Sequence, residues 1–195
     1  MMSWPAFETV RFDLADPEIA SLASQYPCIL ELVTDGAPHS ALGQCEADLA
    51  LTIIRSHRRV VSGYDREVRT RPGGALIRFA SGAGIDNAVA LDPMSGEVLF
   101  VLDPAGRRGE PRASLMNSSL AHLRETVQAV IGRFPFYDGP QSEERTTEEE
   151  RAQNDLLRLI DEADPRVGEE PGPWGEFPWD VGMGDFGTAL VVGQS

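Results

Sequence analysis

The side chains here best suited to acid–base, nucleophilic or metal chemistry are three histidines, two cysteines and 31 carboxylates. His39, His57 and His122 are nowhere paired at a metal-ligand spacing such as His-Glu-x-x-His, which would set two imidazoles on one helix face. Cys28 and Cys45 are too few for a disulfide framework and match no zinc pattern. Cys28, beside Ile29 and Leu30, reads as a small buried hydrophobe. Serines and histidines are numerous enough for a triad, but no Gly-x-Ser-x-Gly elbow exposes a nucleophile. Ser81-Gly82-Ala83-Gly84 lacks the Gly-Lys-Ser/Thr ending of a phosphate loop. It also precedes a strand, where a dinucleotide fingerprint would open a helix, so it reads as a turn. The His-x-Glu and Pro-Cys-x-x-Cys signature of nucleic-acid deaminases is absent. Among so many acids some pair falls close by chance, and none stands out as a catalytic couple. No catalytic, cofactor-binding or metal-ligating residue is assigned, and the chain is expected to act by binding another protein.

The elements that carry these residues can be read from pattern. Asp16 followed by Pro17 reads as an N-cap and first helical residue, with Ile19, Leu22 and Ala23 as a short apolar stripe ending near Tyr26-Pro27. Short strands are expected over 28–33, 49–55 and 74–80. The clearest hairpin joins 87–92 to 97–102 through Asp92-Pro93-Met94-Ser95-Gly96, where Pro fixes one φ and Gly permits another. A second turn, Asp103-Pro104-Ala105-Gly106, follows it. Such hairpins imply an antiparallel sheet with one face covered. Leu120, Leu123, Val127, Val130, Ile131 and Phe134 recur at helical steps, with His122, Glu125 and Gln128 on the opposite, water-facing side. Any of Asn117, Ser118 or Ser119 can cap that helix. After a loop over 136–144, a second helix is expected from Thr147, which has capping-box spacing to Glu150. Its apolar face is Ala152, Leu156, Leu159, Ile160 and Ala163, and Asp164-Pro165 ends it. Pro171 to Trp179 carries too much Pro and Gly for a regular helix.

Charge is distributed unevenly. The net charge is −14, and all 17 positive residues are arginine. Residues 1–137 carry 16 acids against 13 arginines, a net of −3, whereas residues 138–195 carry 15 against 4, a net of −11. An acidic surface repels phosphate backbones and speeds encounter with a basic partner, so direct nucleic-acid binding is not expected. The run Arg55, Arg58, Arg59, Arg66, Arg69 and Arg71 is diluted by Asp65 and Glu67, and reads as pairing with the protein's own acids. Neither a secretion signal nor about 18 consecutive apolar residues is present, so the expectation is a soluble protein of the reducing cytoplasm with no membrane partner.

The segment from Leu76 to Leu123 carries a resemblance. It reads Leu76-Ile77-Arg78-Phe79, then Ala88-Val89-Ala90-Leu91-Asp92-Pro93, Ser95-Gly96-Glu97-Val98, and Leu115-Met116-Asn117-Ser118-Ser119-Leu120. This resembles the fourth subgroup of the SUKH superfamily of bacterial immunity proteins, in which an LDP-x-(S/T)-G-x-V hairpin leads into an (F/L)-x-N-S-S-L helix start. Further on, an acidic helix ending in Asp164-Pro165 and then Trp174 repeat the family's order. One departure is that the family continues from that Trp into a helix, which Pro173, Pro178, Gly182 and Gly184 oppose here.

The resemblance implies an α+β fold, a central antiparallel sheet flanked by helices, as a single domain over residues 1–195. Residues 138–195 would form an acidic C-terminal helix and arm packed on it. It implies an immunity protein that neutralises a cognate polymorphic toxin, often a nuclease or nucleic-acid deaminase and typically basic. A non-catalytic regulatory or scaffold module of the same fold, and an enzyme whose site the motifs do not reveal, stand as alternatives. The expected partner-binding residues are the acids Glu148, Glu149, Glu150, Asp161 and Glu162, and the aromatics Trp174, Phe177 and Trp179. The acids would meet a basic cleft. The aromatics would either anchor the interface or fold the arm onto the core.

Overall fold

A computed structural model describes residues 7–40, 45–62, 68–82, 86–137, 143–167 and 172–183. The expected turn at Ser81-Gly82-Ala83-Gly84 lies partly outside them, as do Arg66 and the side chains of Arg69 and Arg71. The fold is mixed α+β, with a mostly antiparallel sheet and five helices among the described residues.

Strand β1 (Phe7–Val10) pairs antiparallel with β2 (Ala37–Ser40), and the helices α1 (Pro17–Ala23) and α2 (Pro27–Asp35) lie between them in the chain. Asp16 caps α1 as its sequence suggests, its Oδ1 accepting from the Glu18 amide at 2.8 Å. Residues 28–33, expected as a strand, belong to α2. A short apolar run fits a buried strand or a buried helix turn equally well. Here Pro27 sits at the first helical position, Ile29 and Leu32 bury one face, and Gly36 ends the helix at φ 79°.

The main sheet contains β3 (Glu46–Ile54), β4 (His57–Ser62), β5 (Val68–Gly73), β6 (Leu76–Ser81), β7 (Asn87–Leu91), β8 (Val98–Leu102) and β9 (Arg112–Asn117). Their spatial order is β3-β6-β7-β8-β9-β4-β5. All neighbours run antiparallel except β4 and β9, which pair in parallel through Arg58–Arg112 and Arg59–Ala113. The β7–β8 hairpin turns where expected. Asp92 Oδ1 accepts from the Met94 amide at 2.9 Å, the Gly96 amide donates to the Asp92 carbonyl at 2.8 Å, and Gly96 has φ 76°.

Both faces of the central strands are buried. Ile77, Phe79, Val89, Leu91, Val98 and Met116 join the helices in one large core. The opposite face packs Ile54, Leu76, Ala88, Ala90, Leu99, Val101, Ala113 and Leu115 against one another. A strand covered on both sides gains nothing from polar alternation, which is why Ala88 to Leu91 reads as a continuous apolar run. At the β4–β5 end, His57 is buried with its ring over Gly73, where a Cβ would come within 2.0 Å of the imidazole.

Helix α3 (Leu120–Arg133) presents Leu120, Leu123, Val127 and Val130 to the core. Helix α4 (Glu143–Ala163) begins before the expected Thr147, so Thr147 and Glu150 lie within it and form no capping box. Its Ala152, Leu156 and Ile160 are buried. The sharpest departure is α5 (Pro173–Gly182), a helix where Pro and Gly argued against one. Pro173 occupies the first helical position, where the missing N–H has no cost. Pro178 does interrupt the ladder. That penalty is offset because Trp174, Phe177, Pro178 and Val181 fall on one face and are all buried. Tertiary packing of that face overrides local propensity. The family-like helix after Trp174 is therefore present.

The described arginines of the basic run meet acids of the chain. Arg55 binds Glu18 at 2.9 Å and Arg58 binds Glu110 at 3.3 Å, while Arg59, almost wholly buried, lies 3.4 Å from Glu97. Glu97, at the start of the second hairpin strand, also receives Arg166 from beyond α4 at 2.7 Å and the Ser95 hydroxyl at 3.2 Å. Burial pushes the Glu97 carboxyl up, but the Arg166 hydrogen bond, the two guanidinium charges and Ser95 outweigh it and hold the carboxyl below its ordinary value. A depressed carboxylate contributes stability above its unfolded pKa of about 4.3, lost as pH falls through the lower folded value. Glu97→Gln should therefore be less stable than wild type at neutral pH. The gap should close as urea denaturation is repeated at progressively more acidic pH; a gap independent of pH would contradict the role given to this carboxylate.

Candidate partner-binding surface

The family-like motif residues converge on one buried hydrogen-bonded cluster where β9, α3, α4 and α5 meet. Asp164, 1% exposed at the end of α4, is its centre. Its carboxylate accepts from the Ser118 amide at 2.6 Å, the Ser118 hydroxyl at 2.9 Å and Asn117 Nδ2 at 3.2 Å. Asn117, fully buried at the end of β9, also donates to the Thr126 hydroxyl at 3.0 Å and accepts from the Trp174 indole N–H at 2.9 Å. Ser119, the third of the possible caps, is the one that caps α3, accepting from the His122 amide at 3.1 Å. His122, expected to face water, stays partly exposed and turns Nδ1 to the Ser118 hydroxyl at 2.6 Å.

Serine, histidine and aspartate thus lie together, but in an order that does not make a nucleophile. In a triad the imidazole stands between hydroxyl and carboxylate and takes the hydroxyl proton. Here the hydroxyl stands between them, donating to Asp164, and the Asp164 Oδ2–His122 Nδ1 distance is 4.0 Å. The cluster joins four elements and presents no activated oxygen to solvent. Among the described residues no group of histidines, cysteines and acids could hold a metal, and no helix is long and apolar enough to cross a membrane. Cys45 is fully buried and Cys28 half-buried, and burial raises both thiols above their ordinary value.

The expected contact residues separate into two groups. Trp174 and Phe177 are each 1% exposed and stack edge-to-face with centroids 6.2 Å apart, so they fold the arm onto the core. Glu149 is also buried, on the inner face of α4. Glu148, Glu150, Asp161 and Glu162 are exposed on α4, and Trp179 is 65% exposed on α5. Glu162 pairs with Arg158 one turn earlier at 2.7 Å, whereas Glu148, Glu150 and Asp161 carry no ion pair among the described residues.

Pattern reading missed Glu176 and Asp180, which are exposed beside Trp179 on the outer side of α5. The signal was available. Trp174, Phe177 and Val181 stand at three- and four-residue steps, and that stripe puts residues 176, 179 and 180 opposite. Two contacts set where α5 lies. Gly172, before its first turn, passes so close to β9 that a Cβ would come within 2.3 Å of the Leu115 carbonyl oxygen, and the Trp174–Asn117 bond holds the turn itself.

Removing the Asp164 carboxylate would leave the part-buried Ser118 amide without its acceptor and take from the buried Asn117 carboxamide one of its two. Asp164→Ala should cost about 2–4 kcal/mol in urea denaturation, each unsatisfied buried donor accounting for roughly 1–3 kcal/mol. In a double-mutant cycle, Asn117→Ala and Trp174→Phe should couple by about 0.5–1.5 kcal/mol. Strict additivity would show that the indole bond does not hold α5.

The family model described as SUKH-4 immunity protein matches residues 32–177, a span that opens in α2 and closes on Phe177. No curated protein and no solved structure matches the chain. The matched span contains the β7–β8 hairpin and every member of the Asn117–Asp164–Trp174 cluster, and the chain belongs to the SUKH-4 immunity protein family.

Proposed function

We propose that the protein neutralises a cognate toxin by binding it, without chemistry of its own, and that this toxin is a basic nuclease or nucleic-acid deaminase acting in the cytoplasm. Family membership supports the first part. The second rests on one observation: the negative excess lies in the last third of the chain, and its exposed carboxylates on α4 have few internal partners. The arginines of the first two thirds behave differently, since those at Arg55, Arg58, Arg59, Arg78 and Arg124 each meet an internal acid. Acids not neutralised internally are free to face a cleft built for a phosphate backbone. The binding face thereby imitates the charge of the substrate it displaces. Exposed charges of this kind act chiefly on the rate of encounter and on partner choice.

Affinity capture on the immobilised protein from the cytosol of its native host, at low and moderate salt, should recover a toxin, with less retained as salt rises. Recovery of housekeeping proteins alone would favour a regulatory module of the same fold. With the toxin in hand, the combined variant Glu148→Gln, Glu150→Gln, Asp161→Asn and Glu162→Gln should associate about tenfold more slowly at low salt, the scale of electrostatic steering. The difference should vanish at high salt. An association rate equal to wild type at low salt would refute the charge-mimic reading.

A further inference from the structure

Between α5 and the ends of β8 and β9 lies an open groove of about 600 Å³. Its floor is Phe100, half-buried, and Leu102, 42% exposed, both on the helix-covered side of the sheet. Its far wall is Pro173, Glu176, Trp179 and Asp180. The Phe100 ring lies over Gly82, where a Cβ would come within 2.3 Å of it, so the ring is laid toward β6 and the space above Leu102 stays open.

The chemistry of this groove is mixed in a particular way. Glu176 and Asp180 stand one turn apart on the same face of α5, as i,i+4 residues do. Neither carries an ion pair among the described residues. Trp179 beside them exposes most of its ring, and leaving a tryptophan in water forgoes the largest apolar gain any side chain can make. An apolar floor, an aromatic face and two carboxylates together match one side chain. An arginine lays its methylene stem on apolar surface, stacks its planar guanidinium on an indole, and donates to carboxylates in a fork. A neutral apolar residue would leave the acids unanswered, and an acidic one would be repelled.

We infer that this groove is the docking site for an arginine side chain flanked by apolar residues on the partner protein. The inference rests on the toxin-binding reading above and locates its anchoring contact on α5, away from the acidic face of α4.

The probe is the peptide acetyl-Leu-Arg-Leu-amide, with acetyl-Leu-citrulline-Leu-amide as a neutral twin of the same shape, titrated into the ¹⁵N-labelled 195-residue chain. The arginine peptide should shift the Trp179 indole N–H and the Leu102 and Glu176 amides. The citrulline peptide, and the arginine peptide on Glu176→Gln/Asp180→Asn, should bind about tenfold more weakly, a loss of about 1.4 kcal/mol. Equal binding of the two peptides, shifts confined to α4, or no localised shift up to millimolar peptide would each overturn the inference. So would a chain lacking residues 184–195 that alone accepts the peptide, since the apolar Phe186 and Leu190-Val191-Val192 would then be the occupant. With the captured toxin, Trp179→Ala combined with the two acid substitutions should weaken binding at least about tenfold while the melting temperature stays near wild type. Toxin binding unchanged in that variant would sink the groove and leave the immunity reading standing. Failure to capture any toxin would sink the immunity reading while the peptide titration remained decisive for the groove.

Discussion

The arrangement depends on a carboxylate that cannot be left alone. Asp164 is almost wholly removed from water, and an isolated buried carboxylate is costly enough that it must be met by donors or lose its charge. Ser118 and Asn117 supply those donors, and they do so from the point where β9 becomes α3. Satisfying one group therefore fixes the end of α4 against the end of the sheet. Asn117 has a second obligation, to the indole of Trp174, and through it α5 is held over β9. A four-element junction is thereby set by four side chains drawn from three separate places in the chain. Buried networks of this kind are poorly served by a partial solution, because a buried group left unsatisfied costs more than a single satisfied bond contributes.

A second junction reinforces the first. Glu97 receives Arg59 from β4 and Arg166 from just beyond Asp164, so the hairpin, the outer strands and the end of α4 meet around one acid. The short interval between Asp164 and Arg166 explains why Asp164-Pro165 looks like a simple helix stop yet carries so much of the fold. Proline ends α4 there, and the residues on either side of it are tied to different parts of the sheet.

Much of this is legible in the sequence. The Asp92–Gly96 turn, the cap of α1 and the inner face of α3 follow from local chemistry, in which φ preference and periodicity leave one reading. The α+β class and the family follow from the order of motifs. What local reading could not supply was anything decided by burial. Residues 28–33 carry the same apolar content as a strand, and only their placement under the core makes them α2. Prolines at 173 and 178 argue against a helix until the buried face of Trp174, Phe177 and Val181 is known. The same blindness applied to the contact surface. Of the residues that acid and aromatic content singled out, Glu149, Trp174 and Phe177 turn inward, while Glu176 and Asp180, outside any motif, turn outward.

The parallel pairing of β4 with β9 has a consequence for how the protein comes into being. Arg58 and Arg59 leave the ribosome more than fifty residues before their partners Arg112 and Ala113, so the β4–β5 hairpin waits with an open edge during synthesis. Asp164 and Trp174 arrive later still. The nascent chain can complete its sheet once β9 is made, but it has no satisfied junction until its acidic helices emerge, and those helices carry the surface proposed to meet a partner. Completion of the junction and of the proposed docking surface become a single event in the life of each molecule, reached only when α5 has been made.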